Sequence, residues 1–215
     1  MYMSFASRQD AGQKLGRRLL QEGVEADVIV GLPRGGVVVA AEVAHLLQRP
    51  LDVLIVRKIG HPLHREFAVG ALAENDIVLL DQKTIGTHEM TRAKLAEIIQ
   101  EEEERLQDYQ LRFHQGPRAD MSGKSIVLVD DGLATGATME AAVLSAKKQG
   151  AGKVVVAVPV GSTSSLAKLE RIADGVICLV DDPAFGAVGA YYEEFSQTTD
   201  EEVLDLLRAE HAHPR

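Results

Sequence analysis

The sequence has no tryptophan, four tyrosines and five phenylalanines in 215 residues, so its core must be built from aliphatic side chains. A single cysteine, Cys178, excludes an internal disulfide and any cysteine-rich zinc site. It lies in the apolar run 176–180, where an inert, buried thiol is the expected role. No apolar run approaches the length needed to span a bilayer, and the first residues lack the apolar stretch of a signal peptide. A basic excess is missing as well. With 23 Lys and Arg against 32 Asp and Glu, the net charge is −9, which excludes long-range attraction to nucleic acid or an anionic membrane as the main role of the surface. The expectation is a soluble cytoplasmic protein with neither nucleic-acid nor membrane partners. A local basic pocket remains compatible with that balance, because it needs only two or three placed side chains.

What is present is a rhythm of short apolar runs rich in β-branched residues, at 27–30, 53–56, 126–129, 154–160 and 176–180. Continuous Val and Ile runs suit strands buried on both faces, as in a parallel sheet. Between them, 5–20, 37–47, 138–149 and 165–173 show helical spacing, with Gly150 placed to end the third. The pattern predicts an α/β fold, an open twisted and mainly parallel sheet flanked by helices, forming one domain over 1–215. Ligands in such sheets bind beyond the carboxyl ends of the strands. Two segments break the rhythm. Residues 77–80 read as an extra short strand after a Gly- and Pro-containing loop at 59–75. A long polar helix at 87–115 follows, carrying Glu101, Glu102, Glu103 and Glu104. It reads as a solvated helical insertion within about 82–121, with a lid or dimer arm as the functional alternative.

The most informative stretch is 126–138. An apolar strand runs into Asp130 and Asp131, then through Gly132, Leu133, Ala134, Thr135, Gly136 and Ala137 to a helix starting near Thr138. Small residues let backbone N–H groups approach an anion, and a helix N-terminus adds positive potential. Thr135 and Thr138 can donate hydroxyl hydrogen bonds to the same anion. Two adjacent carboxylates at a strand end repel each other unless something cationic or hydroxyl-rich faces them. A ribose offers both, through its hydroxyls and through the positive charge that develops as a glycosidic bond breaks. The stretch resembles the phosphoribosyl pyrophosphate (PRPP) motif of type I phosphoribosyltransferases. That resemblance implies that Asp130 and Asp131 hold the ribose hydroxyls. It gives Ala134, Thr135, Gly136, Ala137 and Thr138 the 5-phosphate.

Two further segments fit the same family. Arg34, Gly35 and Gly36 follow the first apolar run and resemble the family's pyrophosphate loop, which carries a basic or small residue beside an unusual peptide bond. Arg57 and Lys58 resemble the Arg-Lys pair that opens the family's mobile catalytic loop, with 60–66 as the candidate hood and His61 and His64 as plain loop residues. The chemistry implied is displacement of pyrophosphate from the anomeric carbon of PRPP by a nitrogen nucleophile. Catalytic roles fall to Asp130, Asp131, Arg57 and Lys58. Mg²⁺ is the implied cofactor, with Asp130 and Asp131 as its candidate ligands.

The acceptor pocket is expected from a hood segment at about 181–200, with Phe185 stacking on a planar base and Val188 beside it. Alanine at 134 departs from the 6-oxopurine enzymes, which place there an acid that handles a ring-nitrogen proton. The string Leu133-Ala134-Thr135-Gly136 looks instead like the uracil enzymes. The partners expected are PRPP and a small-molecule acceptor, with a homodimer left open. Taken whole, the chain resembles a subgroup of bacterial phosphoribosyltransferases of unsettled substrate. Two other readings share the cradle: a non-catalytic PRPP sensor or regulator, and a PRPP-handling hydrolase or phosphorolysis enzyme.

Overall fold

A computed structural model describes residues 4–61, 64–81, 85, 92–116 and 118–212. Its strands are β1 (Val28–Gly31), β2 (Leu51–Val53), β3 (Val56–His61), β4 (His64–Ala73), β5 (Ile77–Leu80), β6 (Ser125–Val129), β7 (Lys153–Ser162) and β8 (Gly175–Asp182). Its helices are α1 (Arg8–Gln21), α2 (Gly35–Leu47), α3 (Arg92–Phe113), α4 (Ala137–Lys148), α5 (Thr163–Leu169) and α6 (Asp200–Ala212). Five strands form one parallel sheet in the order β2-β1-β6-β7-β8.

The strands are apolar at successive positions because each face meets its own core. Ile29, Val127, Val129, Val155 and Ala157 pack with side chains of α1, α2 and α6. Val28, Val30, Ile126, Leu128, Val154 and Val156 pack with Met139 and Ala142 of α4 and Leu166 of α5. Fully burying one such side chain stabilises the fold by about 1.5–3 kcal/mol, so neither face tolerates a polar residue in mid-strand. Gly150, at φ +84, follows the end of α4, and its backbone N–H bonds the Lys147 carbonyl. Among the described residues, no helix is long and apolar enough to cross a membrane.

The expected strand at 53–56 is in fact two. β2 ends at Val53 in the parallel sheet, and β3 starts at Val56 in a separate antiparallel sheet of order β3-β4-β5. The crossover is held by polar groups. Ile55 N–H donates to Glu74 Oε1 at 2.8 Å, and the same buried carboxylate meets His114 at 2.7 Å and Arg118 at 2.8 Å. Leu54 and Ile55 are both buried, so hydropathy runs on unbroken across the point where the chain changes sheets. The loop expected at 59–75 is likewise replaced by strand β4, whose Gly70 lies flat against the Leu79 carbonyl of β5. His61 is buried at the end of β3, and Pro62 and Leu63 of the anticipated hood lie outside the described residues. Helix α3 packs over β3 and β4. Residues 87–91 of the expected helix also lie outside the description.

The segment before α1 pairs with the segment after β8. Phe5 pairs with Tyr192, and Phe5 N–H donates to the Tyr191 carbonyl at 2.8 Å, while Glu193 N–H donates to the Phe5 carbonyl at 2.8 Å. Ser7 then caps α1 by accepting from Asp10 N–H, so α1 begins next to the C-terminal segment.

Candidate active site

Asp130 and Asp131 stand at the carboxyl end of β6, the central strand of the parallel sheet. Arg8 Nε donates to Asp131 Oδ2 at 2.8 Å. The same guanidinium donates through Nη1 to the Ser196 carbonyl at 2.7 Å and lies 3.9 Å from the Phe195 ring centroid. Tyr192 Oη donates to the Asp131 carbonyl at 2.6 Å, and burial together with the Asp131 charge raises its pKa, so it stays a donor. Burial also pushes the Asp130 carboxyl well above the usual range, and the adjacent Asp131 charge pushes it further. Burial raises Asp131 too, but its bond to Arg8 opposes the rise. Asp130 is therefore the member of the pair that holds a proton more readily.

The phosphate loop is fixed from both sides. Leu133 N–H donates to the Val160 carbonyl at 2.9 Å, and Ser162 N–H donates back to the Leu133 carbonyl at 3.0 Å, so the loop extends the β6–β7 ladder. The Ala134 carbonyl accepts from Ser162 Oγ at 2.9 Å and Ser165 Oγ at 2.7 Å. With that oxygen committed to α5, it does not compete with an incoming anion. Gly136 then turns left-handed, at φ +78, to start α4, and a side chain there would also press on Ser165 Cβ at 3.2 Å.

The peptide Pro33–Arg34 is cis, at the position where the family pattern expects an unusual peptide bond. Gly35 and Gly36 lie against the acid pair. A Cβ at Gly35 would stand 2.1 Å from Asp131 Oδ2, and one at Gly36 would stand 2.8 Å from Asp130 Cα. Arg34 Nη1 is 3.5 Å from Asp200 at the start of α6, which also pairs with Arg112 of α3. Arg57 and Lys58, expected at a strand end, lie within β3. Arg57 Nε donates to Glu102 Oε2 of α3 at 3.0 Å, and its guanidinium sits 5.1 Å from the Tyr109 ring centroid. Arg105 pairs with the other oxygen of Glu102.

These segments enclose a cavity of about 720 Å³. From the pyrophosphate-side candidates it is lined by Arg34, Gly35, Arg57 and Lys58, and from the acid pair by Asp130 and Asp131. From the phosphate loop and hood it takes Ala134, Thr135, Gly136, Thr138 and Val188. Three of the expected site residues stand outside this lining. Gly36 backs Asp130, Ala137 opens α4, and Phe185 stacks on Tyr191 with centroids 5.4 Å apart. Arg8, Glu102, Arg105 and Phe195 also line the cavity and were not among the candidates read from the sequence. Arg8 is 123 residues from its partner Asp131, so no local spacing points to it. Glu102 looks like one member of a solvated charge run, yet Glu102 alone of Glu101–Glu104 is buried.

Among the described residues, no group of three or more His, Cys, Asp or Glu could hold a metal ion. Mg²⁺ is commonly held through one or two carboxylates, with substrate phosphates and waters completing its shell. The adjacent carboxylate oxygens of Asp130 and Asp131 are hard donors of the kind such an ion takes.

Fold and site together define an α/β protein whose cavity lies beyond the carboxyl ends of its parallel strands. The chain belongs to the phosphoribosyl transferase domain family, whose model matches residues 7–194. A Mycobacterium tuberculosis protein named as a candidate phosphoribosyl transferase is 46% identical over 209 residues, covering 96% of this chain and 47% of its own length. The chain thus spans about half the length of the curated relatives it matches. The crystal structure of TT1426 from Thermus thermophilus is 41% identical, with a TM-score of 0.79 over 95% of this chain and 98% of that one. A purine phosphoribosyltransferase from Pyrococcus horikoshii shares the fold at 18% identity and a TM-score of 0.51, over 93% of this chain and 97% of its own.

Proposed function

We propose that this chain transfers the phosphoribosyl group of Mg²⁺-PRPP to a nitrogen acceptor of the nucleobase class, releasing pyrophosphate, in cytoplasmic nucleotide salvage. The observation that carries this reading is one cavity lined by an acid pair, a phosphate loop at a helix N-terminus, and Arg34, Arg57 and Lys58. In it, Thr135, Thr138 and the loop N–H groups anchor the 5-phosphate. Asp130 and Asp131 accept from the ribose hydroxyls and stabilise positive charge on the ring as the glycosidic bond lengthens. The three basic side chains take up the charge that grows on the leaving group. Bound Mg²⁺ would neutralise further charge on that diphosphate. Val188, packed on Gly132 beside the acid pair, forms one wall for the acceptor, and Phe185 supports the hood behind it.

The test is pyrophosphate release from Mg²⁺-PRPP across a panel of purine, pyrimidine and pyridine bases. Release that depends on one base, reduced at least about a hundredfold in Asp130→Asn/Asp131→Asn, is the expected result. Unchanged kinetics in the double variant would remove the site assignment. PRPP binding without release for any base would favour a sensor on the same fold.

A further inference from the structure

Glu102 of helix α3 lies 45 residues beyond Arg57 in sequence, yet one stripe of that helix faces the cavity. Ile98, Glu102 and Arg105 line the cavity, and Tyr109 continues the same face, following helical spacing. Glu102 is 7% exposed within an otherwise exposed run of glutamates. A carboxylate buried there needs cationic partners, and it has two: Arg57 of β3 on Oε2 and Arg105 of α3 on Oε1. Arg57 is further braced by the Tyr109 ring. The bond to Glu102 uses Arg57 Nε, which leaves the two Nη groups of the fork for another acceptor. One carboxylate between two guanidiniums leaves a net positive charge in the cavity lining, which also includes Lys58 and Arg34. Glu102 answers only one of the two guanidinium charges, and an anionic ligand in the cavity would offset the other.

We infer that α3 is a working part of the pyrophosphate end of the site, with Arg105 as a further ligand-binding cation and Glu102 as the residue that positions Arg57 and Arg105. The inference rests on the PRPP reading above, which assigns Arg34, Arg57 and Lys58 to that end but gives α3 no role. Neither the motif nor the family match singles out either residue.

Calorimetry on the full chain tests it, with Mg²⁺-pyrophosphate and ribose 5-phosphate as separate probes. Arg105→Gln, a change at a half-exposed side chain, should weaken pyrophosphate binding about tenfold, the scale of one charge-assisted hydrogen bond, and leave ribose 5-phosphate binding unchanged. Glu102→Gln should weaken pyrophosphate by a similar factor. Because it acts through Arg57, Glu102→Gln should lose much of its effect in an Arg57→Ala background, whereas a merely structural role would keep the same factor in both. Pyrophosphate affinity within twofold of wild type in both single variants would overturn the inference while leaving the PRPP reading intact. Equal losses for both probes would show that α3 matters only for folding, and would also overturn it. Failure of the wild-type chain to bind either probe would remove the PRPP reading itself, and this inference with it.

Discussion

One methyl group at Gly35 should disable the acid pair. An ideal Cβ at that position falls 2.1 Å from Asp131 Oδ2 and 2.6 Å from Arg8 Nε, far inside the 3.5–4.0 Å separation of packed heavy atoms. Asp131 has little room to retreat, because its carbonyl is bonded to Tyr192 Oη at 2.6 Å and its carboxylate to Arg8 at 2.8 Å. The least costly relief swings the Asp131 side chain off Arg8 and leaves a guanidinium and a carboxylate unmatched. Breaking a buried pair costs about 3–5 kcal/mol, and the residual exposure of these side chains (11% and 16%) places the loss at the lower end, about 3 kcal/mol. For a chain of this size, 1 kcal/mol moves Tm by about 2–4 °C, so Gly35→Ala should melt roughly 6–12 °C below wild type.

Gly186→Ala is the matched control, since a Cβ there meets nothing within 4 Å and the backbone is not left-handed. It should stay within about 0.5 kcal/mol of wild type. Thermal melts of the three proteins, with pyrophosphate release from Mg²⁺-PRPP measured on each, make the comparison. Gly35→Ala melting within about 2 °C of Gly186→Ala and keeping wild-type turnover would refute the reasoning, because the acid pair would then not need the close approach of the 33–36 loop.

Two other predictions concern single groups. Asp130 has a folded pKa raised by burial and by Asp131, so its contribution to stability is present below the ordinary carboxylate value of roughly 3.9 and is lost as pH rises through the raised value. Asp130→Asn should therefore melt higher than wild type at about pH 8 without ligand, with the gap shrinking in acid; a gap independent of pH would contradict the assignment. Ser165 Oγ donates to the Ala134 carbonyl at 2.7 Å, so Ser165→Ala should cost about 1 kcal/mol and weaken ribose 5-phosphate binding about fivefold, with Mg²⁺-pyrophosphate binding unaffected. Equal weakening of both ligands in calorimetry would count against a role confined to the phosphate loop.

The parallel sheet was legible because both faces of its strands are buried, which leaves continuous runs such as Val154, Val155 and Val156. The cavity-lining stretch at 130–138 was legible because its acids, small residues and threonines are consecutive. The switch between sheets at 54–55 was hidden, since Leu54 and Ile55 are as apolar as their neighbours and the group that turns the chain is Glu74, nineteen residues on. Residues 59–75 were read as a loop because Gly60, Pro62 and Gly70 look like breakers, whereas Gly70 is the residue that lets the Leu79 carbonyl lie against the strand.

The same reasoning explains why the candidate site was only partly readable. Its cavity gathers Arg8 from α1, Arg34 from the loop after β1, Arg57 and Lys58 from β3 and Arg105 from α3. Arg34, Arg57 and Lys58 stand out through the family pattern, whereas Arg8 and Arg105 look like ordinary surface charges in their own segments and join them only once the chain is folded and α3 lies over β3. Five basic side chains face three carboxylates in this cavity, within a chain of net charge −9. Gathering them without an anion costs Coulombic repulsion that the fold offsets only in part, through Glu102 and Asp131. Asp200 adds a further contact to Arg34 at 3.5 Å, too long for a strong ion pair. Under the proposed function, a ligand that satisfies the basic group, the acid pair and the loop at 132–138 carries an anionic group at each end and hydroxyls between them, as a ribose with a phosphate and a diphosphate does.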